Sequence, residues 1–296
     1  MALIGAGERG RAFSRALSGV GELALRAIVD PDRARARALA SASGWVRSFG
    51  SIERLLAAGQ VPDIAVLCAP SALHFELGAP LLRSGADLLV EAPLATTRGE
   101  AERLTELAER LGRALLCSSA LGAAARSACI ERAFGAPHGG RIELELARRR
   151  DARARWRGDP ALAGGGVLMD LGPAALELAE QLAGPLQQIR VVDADRLQRA
   201  EVEDSVLLET AHRGGAIAAI HLTWNEGAAR PRARCRGSQA ELALAETDPD
   251  GRSALLRELL ARRLERDAIF DEGARTLSWL HAAYRSRELG RWQHCT

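Results

Sequence analysis

The sequence predicts an α/β protein of two domains: a parallel sheet built from βαβ units, then an α+β region whose strands suit an antiparallel sheet with one covered face. Three observations carry this prediction. Residues 1–119 alternate short apolar runs with helical periodicity, the pattern of strands buried on both faces and joined by crossover helices. After about Ser119 the runs alternate apolar with polar residues, as strands with one wet face do. A chain of 296 residues and 31.6 kDa, 47% of it hydrophobic, is long enough for two substantial cores. The expected domains are 1–119 and 120–296.

In order, Ala2–Ile4 reads as a strand stub. It is shorter than the usual ~5–6 residues, so either the first strand is clipped or the recorded start is a few residues late. Arg9–Ser18 reads as a helix, Leu23–Val29 as a strand and Arg33–Ala42 as a helix. Ile64–Cys68, Asp87–Val90 and Ala114–Cys117 are buried strands, with helices Leu73–Arg83 and Arg98–Leu111 between them. Past the change of pattern, a helix over Ala123–Ala133 leads to a long strand, Arg141–Ala147, and then to a glycine-rich turn and helix, Gly164–Leu182. Alternating strands follow at Ile189–Ala194, Ser205–Ala211, Ala216–Trp224, Pro231–Arg236 and Glu241–Ala245. His212-Arg213-Gly214-Gly215 is a hairpin turn signal. A helical stretch over Ala268–Arg287 closes the chain.

Composition narrows the function classes. A formal net charge of +2 is too small to argue for a nucleic-acid or membrane surface, and neither partner is expected. The sequence offers no run approaching the ~20 apolar residues of a bilayer span, and Met1 leads into Ala-Leu-Ile-Gly without a basic leader or cleavage site. Five widely spaced cysteines with no C-x-x-C read as free thiols of a cytoplasmic protein. All forty basic residues are arginine.

Gly5-Ala6-Gly7-Glu8-Arg9-Gly10 follows a strand and opens a helix, the G-x-G-x-x-G arrangement in which the glycines permit a tight turn, a pyrophosphate approach and close helix–strand packing. The helix N-terminus offers unpaired N–H groups and partial positive charge to phosphates. Asp30 ends the second strand twenty residues after Gly10, where a carboxylate can accept both ribose hydroxyls. A carboxylate there repels a 2′-phosphate and favours NAD, while Arg33 and Arg35 close behind keep NADP open or simply form a solvated helix face.

Asp63-Ile-Ala-Val-Leu-Cys-Ala-Pro70-Ser-Ala-Leu-His74, Gly85-Ala-Asp-Leu-Leu-Val90-Glu91-Ala92-Pro93 and Gly164-Gly-Gly-Val-Leu-Met-Asp170-Leu-Gly172 resemble motifs of the glucose–fructose oxidoreductase and inositol dehydrogenase (Gfo/Idh/MocA) family. Trp156-Arg157, Val202–Ser205 and Ala282–Ser286 are similar to it as well. The resemblance implies a Rossmann domain followed by an open, mostly antiparallel sheet. It also implies hydride transfer between a nicotinamide and a sugar or polyol carbon, and homo-oligomers formed through that second sheet. The family's catalytic lysine, aspartate and histidine fall on Ala92, Asp170 and Ala174, so this chain keeps one of the three. Arginine replaces lysine everywhere else, yet position 92 carries no charge at all. A positioned general acid or base is worth ~10²–10⁴-fold in rate, and alanine supplies neither.

Candidate catalytic residues are Asp170, His74 and His221; candidate cofactor contacts are Gly5, Gly7, Glu8, Arg9, Gly10, Asp30, Pro70, His74 and Glu91; candidate substrate contacts are Trp156, Arg157 and Asp170. No metal site is expected. Asp170 reads equally as a carboxylate near the nicotinamide end and as a helix cap. His74 reads as a structural residue or a proton donor, and His221 as a core residue or a group lining the cleft. Arg148–Arg157 holds six arginines against one acid, Asp151, which describes either an exposed basic loop or a site for an anionic ligand. The functional expectation is an NAD(P)-binding oxidoreductase with non-standard proton chemistry acting on a small sugar-, polyol- or imine-like substrate. The alternative is a catalytically degenerate NAD(P)-binding regulatory or partner protein.

Overall fold

Six strands form the first sheet: β1 (Ala2–Ile4), β2 (Ala27–Val29), β3 (Arg47–Phe49), β4 (Ile64–Leu67), β5 (Asp87–Glu91) and β6 (Leu115–Ser118). They run parallel in the order β3-β2-β1-β4-β5-β6. The order reverses between β1 and β4, the switch point at whose C-terminal edge such sheets bind ligands. Every residue of β1, β2, β4 and β5 is buried; β1, β2 and β4 read as unbroken apolar runs, and β5 as an apolar Leu88–Val90 between the buried acids Asp87 and Glu91. Helices α1 (Glu8–Ser18), α2 (Arg33–Ser43), α3 (Ile52–Ala57), α4 (His74–Arg83) and α5 (Arg98–Leu111) connect them. Side chains of Asp32, Ser51 and Thr97 accept from first-turn N–H groups and start α2, α3 and α5. Edge strand β3 (Arg-Ser-Phe) and the short α3 were not anticipated, because β3 has no apolar run to announce it.

The computed structural model describes residues 1–18, 24–119, 122–123, 140–153, 155–226, 232–236, 241–245, 250–265 and 272–295. The helix expected over Ala123–Ala133 lies, beyond Ala123, outside the described residues. The chain divides into two compact units, Met1–Ser118 with Thr247–Ala274, and Ser119–Glu246 with Arg275–Thr296. The first unit thus takes in Thr247–Ala274 besides the N-terminal residues. There a helix, Asp250–Glu265, packs on α1, β5 and β6, with the Arg252 guanidinium 5.3 Å from the Phe13 ring centre. Its apolar residues are not gathered into one stripe, which leaves no clear periodic signal in the sequence.

The second unit is built on β7 (Arg141–Ala147), β8 (Leu186–Asp195), β9 (Ser205–His212), β10 (Ile217–Thr223), β11 (Arg232–Arg236), β12 (Glu241–Ala245) and β13 (Gln293–His294), in the order β12-β11-β7-β10-β9-β8-β13. Among the described residues, only the β7–β10 pair is parallel. Helix α6 (Val167–Ala183) lies on β7, β9 and β10, and Leu144, Leu146, Leu208, Ile220 and Leu222 are buried in that unit's core. A final helix, Glu272–Leu289, completes the unit. Against the sequence expectation, the segment Pro160–Ala183 is long and apolar enough, by composition, to cross a bilayer. It is 67% buried inside the protein, as a core helix is. The fold class is the expected one, a parallel Rossmann-type sheet plus an α+β unit with a mostly antiparallel sheet.

Candidate functional site

β1 ends at Ile4 and the chain turns through Gly5, whose φ of +101° suits glycine, into α1. A Cβ at Gly10 would run into the Gly5 carbonyl, so the third glycine is what lets α1 begin this close to β1. Gly7 differs from both. A Cβ there would meet nothing within 4 Å, so no contact inside the protein asks for glycine. The open space in front of the first turn of α1 is what a docking pyrophosphate requires. Glu8 is exposed in that same turn.

Asp30, 5% exposed at the end of β2, accepts from the Ala6 N–H at 2.8 Å and the Asp32 N–H at 2.9 Å. A carboxylate can accept about four hydrogen bonds, so both oxygens keep capacity for ribose hydroxyls. Arg35 stands 3.1 Å from Asp32 and 3.8 Å from Asp30, and Arg33 is likewise exposed; both form part of a solvated helix face. The turn and this acid fit a dinucleotide.

β5 ends at Glu91, and the following Ala92–Pro93 peptide is cis. Arg9 Nη1 donates to the Ala92 carbonyl at 2.9 Å and lies 3.0 Å from Glu91 Oε1, tying the glycine turn to the end of β5. Glu91 is 6% exposed, and its Oε2 makes no hydrogen bond among the described residues. A buried acceptor left without a donor costs roughly 1–3 kcal/mol, which a donor from a bound cofactor would recover. Pro70 precedes the turn Ser71–Leu73 that leads into α4.

His74 does not face outward as a proton donor. It is 1% exposed, with Nδ1 3.1 Å from both the Pro93 and Leu94 carbonyl oxygens and Nε2 3.0 Å from that of Ala69. Burial, above all, pulls its pKa below the ordinary value; the three carbonyls oppose this and the Arg9 charge adds to it. The ring clamps the chain after β4 to the segment after β5.

In the second unit Asp170 sits in the first turn of α6 with its side chain 4% exposed. It is not the cap of that helix. Glu203 Oε1 does that work, accepting from the Gly166 N–H at 2.9 Å and the Leu168 N–H at 3.3 Å, and from the Tyr284 hydroxyl at 2.7 Å. Asp170 is turned instead toward arginines. Arg157 Nε lies 3.2 Å from Oδ1, Arg150 Nε 3.5 Å and Arg148 Nη1 3.7 Å from Oδ2, and Trp224 Nε1 donates to Oδ2 at 3.1 Å. The Arg157 guanidinium stacks 4.3 Å from the Trp156 ring centre. The exposed-loop reading of Arg148–Arg157 therefore fails for these three side chains, which are 5%, 11% and 8% exposed. Arg149 and Arg153 are exposed, and the side chain of Arg155 lies outside the described residues.

Strand periodicity explains the split. The Arg148 N–H bonds to the Thr223 carbonyl and the Arg150 N–H to that of Trp224, which prolongs the β7–β10 ladder past Ala147. Residues 148 and 150 thus share one side and 149 takes the other. Gln198 braces this stretch, donating to the Arg150 carbonyl at 2.8 Å and to Asn225 Oδ1 at 3.0 Å. Asn225 in turn donates to Asp204 Oδ1 at 2.9 Å.

His221 is not brought to Asp170. It alternates with Ile220 and Leu222, out of the core, in a depression of about 310 Å³ with Glu143, Glu145 and Leu207, and its Nε2 lies 3.3 Å from Ser205 Oγ. Ala174 is 5% exposed on α6. One turn on, Glu177 meets the Ser119 hydroxyl at 3.2 Å. Sequence reasoning missed Trp224, Gln198, Asn225 and the capping role of Glu203. The single asparagine and single tyrosine of the chain were the available signal, since both end up in this network.

The glycine turn with Asp30 behind it, in a chain whose second unit carries a buried acid on its core helix, defines the class of two-domain dinucleotide-binding proteins. A model described as "Oxidoreductase family, NAD-binding Rossmann fold" matches residues 1–118, and one described as "GFO/IDH/MocA C-terminal domain" matches residues 123–243. The chain belongs to the Gfo/Idh/MocA oxidoreductase family, and its first unit is that family's NAD-binding domain. It is 35% identical over 113 residues to inositol 2-dehydrogenase of Leifsonia xyli subsp. xyli, 37% of this chain and 32% of the relative. It is 27% identical over 188 residues to D-glucoside 3-dehydrogenase of Escherichia coli K12, 62% of this chain and 53% of the relative. The chain thus spans about a third of the length of the first of these relatives and about half of the second. The structure of GenD2 from gentamicin A biosynthesis in complex with NAD has the same fold, with a TM-score of 0.82 at 22% identity over 100% of this chain and 95% of that one.

Proposed function

We propose that the protein is an NAD-dependent oxidoreductase acting on a small sugar-, polyol- or imine-like substrate. The observation that carries this reading is Gly7, whose missing side chain serves no contact within the protein and leaves the N-terminus of α1 open. In this reading the first turn of α1 holds the pyrophosphate, Asp30 accepts the ribose hydroxyls, and Arg9 and Glu91 shape the far end of the site beside Pro70. Bound NAD supplies the hydride acceptor or donor. Trp156, Arg157 and Asp170 hold the substrate, and the arginines around Asp170 favour an anionic one.

The proton comes from substrate or solvent. Ala92 and Ala174 have none to give, the nitrogens of His74 face carbonyls, and His221 lies out of the α6-covered core. An imine or other activated double bond needs less help than an unactivated alcohol. The exposed face of the second sheet has both charge signs around Leu207 and Ala219, which suits pairing with a second copy of itself; light scattering of the purified chain reads that state. Free thiols at Cys68, Cys117 and Cys295 suit the cytoplasm.

Two measurements test the reading. Titration with NADH should change its fluorescence saturably, and no change at millimolar cofactor refutes nucleotide binding. A polyol, sugar and imine panel is then assayed with wild type and with the Ala92→Lys, Ala174→His double variant. Turnover by wild type at a rate the reversion does not raise is the expected result; turnover by the reverted protein alone overturns the assignment of catalysis to the natural chain.

A further inference from the structure

The His74 ring is surrounded by acceptors on both sides. Its Nδ1 lies 3.1 Å from the carbonyl oxygens of Pro93 and Leu94, and its Nε2 lies 3.0 Å from that of Ala69. A neutral imidazole carries one N–H and one lone pair, whereas an imidazolium carries two N–H groups. The neutral ring therefore cannot bond both sides at once. Its proton belongs on Nδ1, where two oxygens share it, and the Nε2 lone pair is then held against the Ala69 oxygen. The residue is 1% exposed, so water does not relieve the mismatch, and two facing lone pairs are unfavourable at low dielectric. Only the charged ring satisfies all three carbonyls.

Both sides of the ring belong to the NAD-binding domain. Ala69 leads into Pro70 and the turn before α4, while Pro93 and Leu94 follow Glu91 and Ala92 at the end of β5. Arg9 adds a tie from the glycine turn to the Ala92 carbonyl at 2.9 Å. The segments that follow β1, β4 and β5 are thus joined through one guanidinium and one ring, at the C-terminal edge where such sheets bind ligands. The guanidinium is always charged, so the ring is the part of this joint that a proton can change. Among the charged groups of the packed elements, Arg9 of α1 bears on the ring and opposes its charge, and is itself 3.0 Å from Glu91 of β5. Cys68, which follows β4, is half-buried, and Glu76 of α4 is exposed.

We propose that His74 is a positioning residue of the cofactor site: by taking up a proton it completes the bond to the Ala69 carbonyl, draws the chain after β4 onto the chain after β5, and so tightens the hold on NADH. The ring itself touches no reacting atom. The inference rests on the reading that puts Pro70 and Glu91 against the bound cofactor. Burial first, with the Arg9 charge adding to it and the three carbonyls opposing, holds the ring below its ordinary pKa, so the proton arrives on the acid side of about pH 6.5. By linkage, a cofactor that prefers the charged ring must raise the ring's pKa as it binds.

The test uses the full chain and NADH itself. Fluorescence titrations from about pH 8 down to about pH 5 should show NADH binding roughly 5-fold or more tighter at the acid end. Dichroism at each pH confirms the fold, because acid works against it through the same ring. The unfolded histidine, at about 6.5, protonates before the buried one, so stability falls as pH drops from there through the folded value. His74→Gln has no titrating proton, and its NADH affinity should stay within about 2-fold over the same range. A purely structural role would weaken binding equally at every pH and leave the wild-type slope in place. If His74→Gln does not fold, ring-nitrogen NMR of wild type decides: NADH should move one histidine midpoint upward from below about 6.5. Wild-type affinity flat with pH, a His74→Gln slope equal to that of wild type, or histidine midpoints all unmoved by NADH overturns the proposal. If NADH binds at no pH, the nucleotide reading falls and takes this inference with it; if it binds with no pH dependence, this inference alone falls. The coupling lies in cofactor affinity, so it vanishes from rates measured at saturating cofactor.

Discussion

Tyr284 is the only tyrosine of the chain, so its ionisation can be followed without ambiguity by phenolate absorbance. Burial first, and then the Glu203 carboxylate that accepts its hydroxyl at 2.7 Å, raise its pKa well above the ordinary phenol value. The native state keeps the protonated phenol, so its contribution to stability is complete below the unfolded pKa of about 10. That contribution drains away as pH rises from there through the folded value. Each unit of separation is worth about 1.4 kcal/mol. Wild type should therefore show no phenolate near pH 10 while folded, and should ionise only as near-UV dichroism is lost. Glu203→Gln keeps an acceptor oxygen but removes the charge from three bonds, to Tyr284, Gly166 and Leu168. Charged hydrogen bonds are worth ~1.5–3 kcal/mol and neutral ones ~0.5–1.5, so the variant should lose roughly 3–4 kcal/mol in urea unfolding. Its tyrosine should also ionise at lower pH than in wild type. A wild-type tyrosine that titrates near pH 10 in folded protein would refute both the burial and the capping role of Glu203.

Two further changes probe the two units separately. Glu8 puts a carboxylate in the helix turn that the proposed reading assigns to the pyrophosphate, and removing its repulsion at surface dielectric is worth about 0.5–1 kcal/mol. Glu8→Gln should bind NADH about 2- to 5-fold tighter at low salt, and an unchanged dissociation constant would show that the phosphates dock elsewhere. Asp170→Asn leaves the Arg148, Arg150 and Arg157 cluster without its central carboxylate. Breaking a buried ion pair this way costs ~3–5 kcal/mol, read by urea unfolding; a loss under ~1 kcal/mol would mean that the arginines are balanced elsewhere.

The first sheet was legible because its signals are local. Apolar runs at Ile64–Leu67 and Leu88–Val90 mark β4 and β5, and the Gly5–Gly10 spacing fixes the turn before α1. The Asp250–Glu265 helix was not legible, because what recruits it to the first unit is packing against residues far away in sequence, with no stripe of its own. The site divides the same way. Asp30 follows from position alone, whereas Asp170 was ambiguous between cap and active group until Glu203, thirty-three residues later, proved to hold the cap. His74 and His221 were plausible as residue types. What demotes them is the direction of their nitrogens, set by the Pro93 and Ala69 carbonyls for one and by strand alternation for the other. The arginine run looked like a loop because composition cannot tell a solvated run from a strand extension that buries every second residue.

The remaining question is how a chain with alanine at 92 and 174 handles a proton. General acid–base help is worth ~10²–10⁴-fold, and neither described histidine near the motifs is placed to give it. A substrate whose nitrogen or oxyanion titrates near neutral pH brings that proton with it, and the protein then has only to hold and orient the molecule. The rate should then follow the substrate's ionisation and not the protein's. Across substrates that differ in pKa, the midpoint of the kcat/KM profile should move with the substrate, while the Ala92→Lys, Ala174→His variant should add a second limb belonging to the protein. A wild-type midpoint that stays fixed as the substrate pKa changes would place the proton on a protein group after all, and Glu91, whose buried Oε2 has no hydrogen bond among the described residues, would be the residue to replace first.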